Sequence, residues 1–237
     1  MLCGAASLNP SIVESFFKLG LRVLQGYGLT ECSPLVAGNN DFFYKYDAVG
    51  LPVPNVEYTV NNPDSNGNGE IIVKGPNVML GYYKDPEATA KVFKDGWFYT
   101  GDLGYVDRDG YLYITGRCKN VIVTKNGKNI YPEEIEYRLD ESTLISECIV
   151  IGRQYENNNE TYVNAKIFPN YDAIKEYLGK EIINATDICN AIRKVVIKLN
   201  RKLPNYKHIK DFKIVEEEFE KTTTKKIKRF GNNVIWE

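Results

Sequence analysis

Three short stretches carry the side chains best suited to chemistry on a nucleotide. Asp102 stands in Tyr99-Thr100-Gly101-Asp102, a break between two β-prone runs, with glycines at 101 and 104. A carboxylate offers two acceptor oxygens at fixed spacing, so Asp102 could take both hydroxyls of a vicinal diol such as ribose. The glycines would let the backbone turn there and let a ligand come close. Gln25-Gly26-Tyr27-Gly28-Leu29-Thr30-Glu31 is the richest polar constellation, read as a loop. The Tyr27 ring could stack on a purine, the Thr30 hydroxyl could meet a phosphate, and Glu31 offers a hard oxygen ligand for Mg²⁺. Upstream, Gly4-Ala5-Ala6 is a run of small residues against which a flat ring could lie. The third stretch, Lys221 to Arg229, is dense in cations. The first two have bland alternatives, an aromatic hairpin and a core tyrosine in a glycine turn, and the lysine run has a nucleic-acid or localisation patch as its rival reading.

Composition removes several classes. The chain has 237 residues, 43% hydrophobic and 26% charged, with a formal net charge of -1. Near-neutrality argues against a broad nucleic-acid footprint, and Glu216, Glu217, Glu218 and Glu220 adjoin the lysine run and would repel phosphate. His208 is the only histidine, which disfavours a Ser-His-Asp hydrolase or a multi-histidine metal centre. Five scattered cysteines without a C-x-x-C pair suit free thiols in a reducing cytoplasm, and Cys32 reads as inert filler rather than a nucleophile. The apolar runs are strand-sized, so no transmembrane segment is expected, and no signal peptide opens the chain.

The elements that must position these residues follow from local signals. Asn9 and Pro10 should start a helix carrying Ile12, Val13, Phe16, Phe17 and Leu19, stopped by Gly20. Residues 21–24 read as a strand that delivers the chain into the glycine loop. From Gly50 the pattern is all β: strands at 56–60 and 70–74, a short helix opened by Asp85-Pro86, then two strands around Asp107-Arg108-Asp109-Gly110. That turn is expected to use the positive φ of a primed hairpin. Beyond Asn120 come a small hairpin over 121–130, a helix opened by Pro132, strands at 148–152, 162–168 and 212–215, and helices at 173–178 and 186–202. Glu156 to Glu160 reads as a polar loop. The fold class is α+β.

In their order, the motifs resemble the adenylate-forming enzymes, specifically the fatty acyl-CoA synthetases. GYGLTE at 26–31 looks like that family's adenine and Mg²⁺ loop, and YTGDLG at 99–104 like its ribose loop. GRCKNVIVTKNGKNIYPEEIE at 116–136 looks like the inter-domain hinge and the loop after it, and KTTTKKIKR at 221–229 like the C-terminal lysine motif. The resemblance implies the end of a large N-terminal domain over 1–118, with a β/α segment at 1–47 and a β-barrel-like segment at 48–118. A small mobile α/β lid domain would occupy 119–237. Tyr27 would stack on adenine opposite the backbone of Gly4-Ala5-Ala6, with Gly26 and Gly28 shaping the loop. Thr30 would bond the α-phosphate, Glu31 would hold Mg²⁺, Asp102 would grip the ribose hydroxyls, and Arg117 would add charge-assisted bonds. Lys119 would be the hinge, Gly127 the loop presented in the second half-reaction, and Lys226 the lysine reaching the α-phosphate and the attacking carboxylate. The family usually has glycine before that lysine, and this chain has Lys225, which leaves the choice between Lys225 and Lys226 open.

The implied chemistry is ATP-dependent activation of a fatty carboxylate to an acyl-adenylate, then thioester formation with coenzyme A, releasing pyrophosphate and AMP. Expected partners are small molecules (fatty acid, ATP, coenzyme A), with no nucleic acid and with room for peripheral membrane contact of the full enzyme. The family's Ser/Thr/Gly-rich phosphate loop finds no match here. The chain is therefore expected to be the C-terminal part of a longer enzyme, inactive without its N-terminal part. The rival readings are an adenylation domain for amino or aryl acids and a non-catalytic nucleotide-binding fragment.

Overall fold

In the computed structural model, which describes residues 1–4, 8, 10–155, 160–223 and 225–236, Pro10 opens α1 (Pro10–Lys18) with a φ already suited to a helix. Val13 is buried from it, and Gly20, at a φ of 79°, turns the chain away. The expected cap Asn9, the pair Ala5-Ala6 and most of the polar loop at 156–160 lie outside the described residues. The chain divides into two compact units, Met1–Lys119 and Asn120–Glu237, and each buries its own apolar cluster.

In the first unit, β1 (Leu2–Cys3), β2 (Leu24–Gly28), β3 (Leu35–Gly38) and β4 (Leu51–Pro52) form one sheet in that order. A second sheet, curled as a half-barrel, contains β5 (Glu57–Asn61), β6 (Gly69–Lys74), β7 (Phe93–Lys94), β8 (Trp97–Val106) and β9 (Leu112–Arg117). Its order is β5-β6-β8-β7, with β9 also paired to β8. The helix α2 (Pro86–Val92) starts where Asp85 accepts the Ala88 N–H at 2.9 Å. Ile71, Val73, Phe98 and Leu112 fill the core together with Val36, Cys32 and Tyr27.

The second unit is built on a three-stranded sheet. Its strands are β12 (Ile145–Tyr155), β13 (Glu160–Pro169) and β14 (Ile209–Ile214), in that order, the first pair antiparallel and the second parallel. Before it come the small hairpin β10 (Ile122–Val123) and β11 (Asn129–Ile130), then α3 (Pro132–Leu139). Parallel β13 and β14 need a crossover, and α4 (Tyr171–Leu178) and α5 (Ala185–Asn200) supply it. Ile135, Leu139, Ile174, Ile192 and Val196 from the helices close over Val150, Val163 and Ile167 of the sheet.

Three local expectations are corrected. Residues 21–23 are not a strand, and the strand is Leu24–Gly28, so Gly26-Tyr27-Gly28 is sheet rather than loop. Gly28 serves close approach of backbone: a Cβ there would stand 2.0 Å from the Pro34 carbonyl oxygen. Asp102 does not sit at a break, because β8 runs through it with an irregular register against β6 that accommodates residues 100–102. The hairpin turn after β8 has only Gly110 at positive φ, so it is not a primed two-residue turn. Asp107 closes it instead: its backbone bonds Gly110 and Tyr111 at 3.0 Å, and its Oδ1 accepts from Asp109 and Tyr111 N–H.

Candidate nucleotide-binding site

The irregularity in β8 fixes where Asp102 points. Thr100 donates its hydroxyl to the Ile71 carbonyl at 2.7 Å and accepts the Asp102 N–H at 3.0 Å. Gly101, at a φ of 70°, donates its N–H to Glu70 Oε1 at 3.0 Å. The pairing of β8 with β9 sets Arg117 directly across from Asp102. The Asp102 side chain is 7% exposed, and its Oδ1 meets Arg117 Nε at 2.6 Å. Its Oδ2 accepts the Tyr27 hydroxyl, also at 2.6 Å, from a residue 75 positions earlier.

Three residues named from separate motifs are thus in direct contact. Tyr27 is 9% exposed and belongs to the core, so little of its ring is open to a ligand, and its hydroxyl is committed to Asp102. Burial first, and the Asp102 charge second, push the Tyr27 phenol well above its ordinary pKa, so it stays a donor. A carboxylate has about four lone-pair positions. Tyr27 and Arg117 occupy one on each oxygen and lock the rotamer.

Glu31 lies in the short turn Thr30–Cys32, where its carbonyl accepts the Met79 N–H at 2.7 Å. Asn77 braces this turn from inside, donating to the Cys32 and Leu35 carbonyls at 2.9 and 2.8 Å. Glu31 Oε1 accepts the Tyr82 hydroxyl at 3.1 Å. Glu31 and Arg117 line a cavity of about 380 Å³ together with Tyr82, Lys91, Thr100 and Gly101. Tyr27, Thr30 and Asp102 do not line it. Thr30 is exposed, and Gly4 lies beside the Gly26 carbonyl, 3.3 Å from where its Cβ would be. Tyr82, Glu70 and Lys91 were not singled out from sequence. Their roles come from sheet and helix contacts over long sequence separations, and no local spacing signals them.

The donors fit Mg²⁺ in one particular way. Among the described residues no three carboxylate, histidine or cysteine side chains are grouped to hold a metal. Glu31 is a partly exposed carboxylate, and the Glu70 carboxylate that lines the same cavity accepts the Gly101 N–H. Mg²⁺ commonly takes one or two protein carboxylates and completes its shell with phosphate oxygens and water, so Glu31 suits a metal that arrives with a nucleotide.

In the second unit the lysine motif forms a tight hairpin. Lys221 and Ile227 bridge, Thr222 N–H donates to the Lys226 carbonyl at 2.8 Å, and Lys226 N–H donates to Thr222 Oγ1 at 3.2 Å. Lys225 sits at a φ of 60°, the left-handed region that glycine enters most easily. The position where the resemblance expects glycine therefore keeps a glycine conformation with a lysine in it. Lys225 and Lys226 are both exposed. Gly127, at a φ of 70°, is in the turn between β10 and β11, and Lys119 is the last residue of the first unit. His208 bonds the Leu203 carbonyl, and all five cysteines are free. No helix among the described residues is long and apolar enough to cross a membrane.

Residues 1–83 match the model of the AMP-binding enzyme family, and residues 119–231 match the model of its C-terminal domain. The chain belongs to the AMP-binding enzyme family. This AMP-binding chain is 42% identical over 156 residues to a long-chain-fatty-acid–CoA ligase of Salmonella typhimurium, covering 63% of this chain and 28% of that one. It is 39% identical over 159 residues to a feruloyl-CoA synthase of Amycolatopsis, covering 64% and 32% respectively. It thus spans about a third or less of these relatives. Among solved structures it resembles o-succinylbenzoate CoA synthetase from Bacillus subtilis, determined with its acyl-adenylate intermediate. The TM-score is 0.79 at 26% identity, over 95% of this chain and 44% of that one. The same synthetase bound to ATP and magnesium ion gives 0.76.

Proposed function

We propose that this chain carries the ribose-binding side and the lid of an ATP-dependent acid–thiol ligase acting on fatty acids. The observation that carries the reading is the contact of Tyr27, Asp102 and Arg117 around one buried carboxylate in a chain of the AMP-binding family. In the first half-reaction an oxygen of the acid attacks the α-phosphorus of ATP and the bond to pyrophosphate breaks. In the second, the coenzyme A sulfur attacks the acyl carbon, its proton is released and AMP leaves. Asp102 accepts from the ribose hydroxyls, and Arg117 supplies charge to ribose or phosphate. Thr30 donates to the α-phosphate, while Gly4, Ala5, Ala6, Gly26, Tyr27 and Gly28 border the adenine. Glu31 holds Mg²⁺, which when bound offsets phosphate charge as the two anions converge.

Lys226 supplies the further positive charge of adenylation. Residues 119–237 act as the mobile lid, hinged at Lys119, and Gly127 belongs to the loop that serves thioester formation. Fatty acids are favoured as substrate class because the 42% identical relative is a long-chain-fatty-acid–CoA ligase. The feruloyl-CoA synthase at 39% makes aryl acids the second reading.

Purified chain given ATP, Mg²⁺, coenzyme A and either palmitate or ferulate should bind nucleotide but form no thioester. The proposed reaction also draws on parts of the site outside this third of the relatives' length. Thioester formation at rates ordinary for enzymes, about 1 s⁻¹ or more, would overturn the half-site reading. In an enzyme of the relatives' full length carrying this sequence, palmitate should be preferred to ferulate, and the reverse preference would favour the aryl reading.

A further inference from the structure

We propose that Arg229, clasped by Glu136, is the positioning residue that sets the Lys226 hairpin on the second unit. The inference rests on the reading of Lys226 above, but its geometry stands independently. The cations of residues 221–229 divide sharply in use. Lys221 pairs with Glu147 of β12 and with Glu218, the latter at 2.7 Å, and Lys228 pairs with Glu220 at 3.2 Å. Arg229 reaches deepest. Its Nη2 meets Glu136 Oε2 of α3, its Nη1 donates to the Val150 carbonyl of β12 at 3.3 Å, and its Nε is 3.7 Å from Glu133 Oε1.

Glu136 is itself built in. Its other oxygen accepts the Val150 N–H at 2.6 Å, and its side chain is 14% exposed against 23% for Arg229. Burial pushes the Glu136 carboxyl up to about 7, against the lowering pull of Arg229 and the Val150 N–H and with a smaller raising push from Glu133. The nearby Cys148 thiol, also pushed up by burial, stays protonated. A planar fork that bonds a carboxylate and a carbonyl at once fixes direction as well as distance. Asn233 completes the clasp, donating to the Glu220 and Lys228 carbonyls at 2.9 and 2.7 Å. Of the cations at 221–229, only Lys225 and Lys226, at the tip, make no ion pair among the described residues. The segment is therefore tied to α3 and β12 at its base while its tip is left to act.

The test uses the 237-residue chain and backbone hydrogen exchange. In Arg229→Ala and in Glu136→Gln, the amides of Thr222, Lys225, Lys226 and Lys228 should exchange tenfold faster or more, with β13 unchanged. Arg229→Lys keeps a charge but loses the fork and should recover only part of the protection. The Glu136 carboxyl, followed by ¹³C NMR, should titrate higher in Arg229→Ala than in the parent chain. Unchanged exchange at the hairpin, or faster exchange spread equally through β13, would overturn the positioning role. A loosened hairpin combined with unaltered adenylation in a full-length enzyme would leave the clasp standing and remove Lys226 from the chemistry.

Discussion

The Asp102 carboxylate is buried and held from both sides by side chains, whereas the Lys226 ammonium is exposed and only its backbone is pinned. Around Asp102 the strand irregularity, the Thr100 hydroxyl and the Glu70 carboxylate fix the main chain, and Tyr27 with Arg117 fix the oxygens. Around Lys226 the ties stop at the base of a hairpin. The contrast matches two kinds of task. A group that must recognise the nucleotide throughout benefits from being preorganised in a low-dielectric setting. A group needed for one step and unwanted in the next benefits from a free side chain on a placed backbone.

The largest effect expected from this contrast lies on the free side. In a full-length enzyme, Lys226→Ala should slow adenylation by roughly 10²–10³-fold, by analogy with loss of one transition-state donor. Thioester formation from pre-made acyl-adenylate should be nearly untouched. Measuring the half-reactions separately checks this: equal losses in both would make Lys226 structural, and a normal mutant beside a crippled Lys225→Ala would move the role to its neighbour. On the fixed side, Tyr27→Phe removes only the hydroxyl that holds Asp102 Oδ2. It should weaken AMP binding by about tenfold, the scale of one charge-assisted hydrogen bond, as read by calorimetry. Unaltered affinity would show that the Tyr27 hydroxyl is not needed to set the carboxylate.

The smallest effect concerns Lys225. Its φ of 60° is strained for a lysine, so Lys225→Gly should stabilise the second unit by up to about 1 kcal/mol. Thermal unfolding of the chain would show it, and a destabilised variant would mean that the lysine side chain has a role the hairpin geometry does not reveal.

How far the sequence was legible depended on how local each signal was. Helix starts were readable because Pro10, Asp85-Pro86 and Pro132 act on their own first turns. Glycines misled. Gly28 carries the signature of a turn, yet the structure uses it where neighbouring backbone leaves no room for a Cβ, and Gly104, where a Cβ would stand 2.1 Å from the Tyr113 carbonyl oxygen, is the same case. Which meaning a glycine has depends on what packs against it. The motifs named Tyr27, Asp102 and Arg117, but not their mutual contact, because the first of these bonds spans 75 residues. Tyr82 and Glu70 were invisible for the same reason. The missing glycine before Lys226 was the reverse case: the sequence flagged an oddity, and the backbone angle of Lys225 gave it meaning.

The central claim is that Asp102 recognises a ribose diol. Calorimetry on the 237-residue chain and its Asp102→Ala variant, each titrated with AMP and with 2′,3′-dideoxy-AMP, tests it directly. The parent chain should prefer AMP by roughly 10- to 100-fold, the worth of one to two hydrogen bonds to a charged acceptor, and the variant should bind both nucleotides equally weakly. A parent chain that does not distinguish the two nucleotides, or a variant that keeps the preference for AMP, would contradict it.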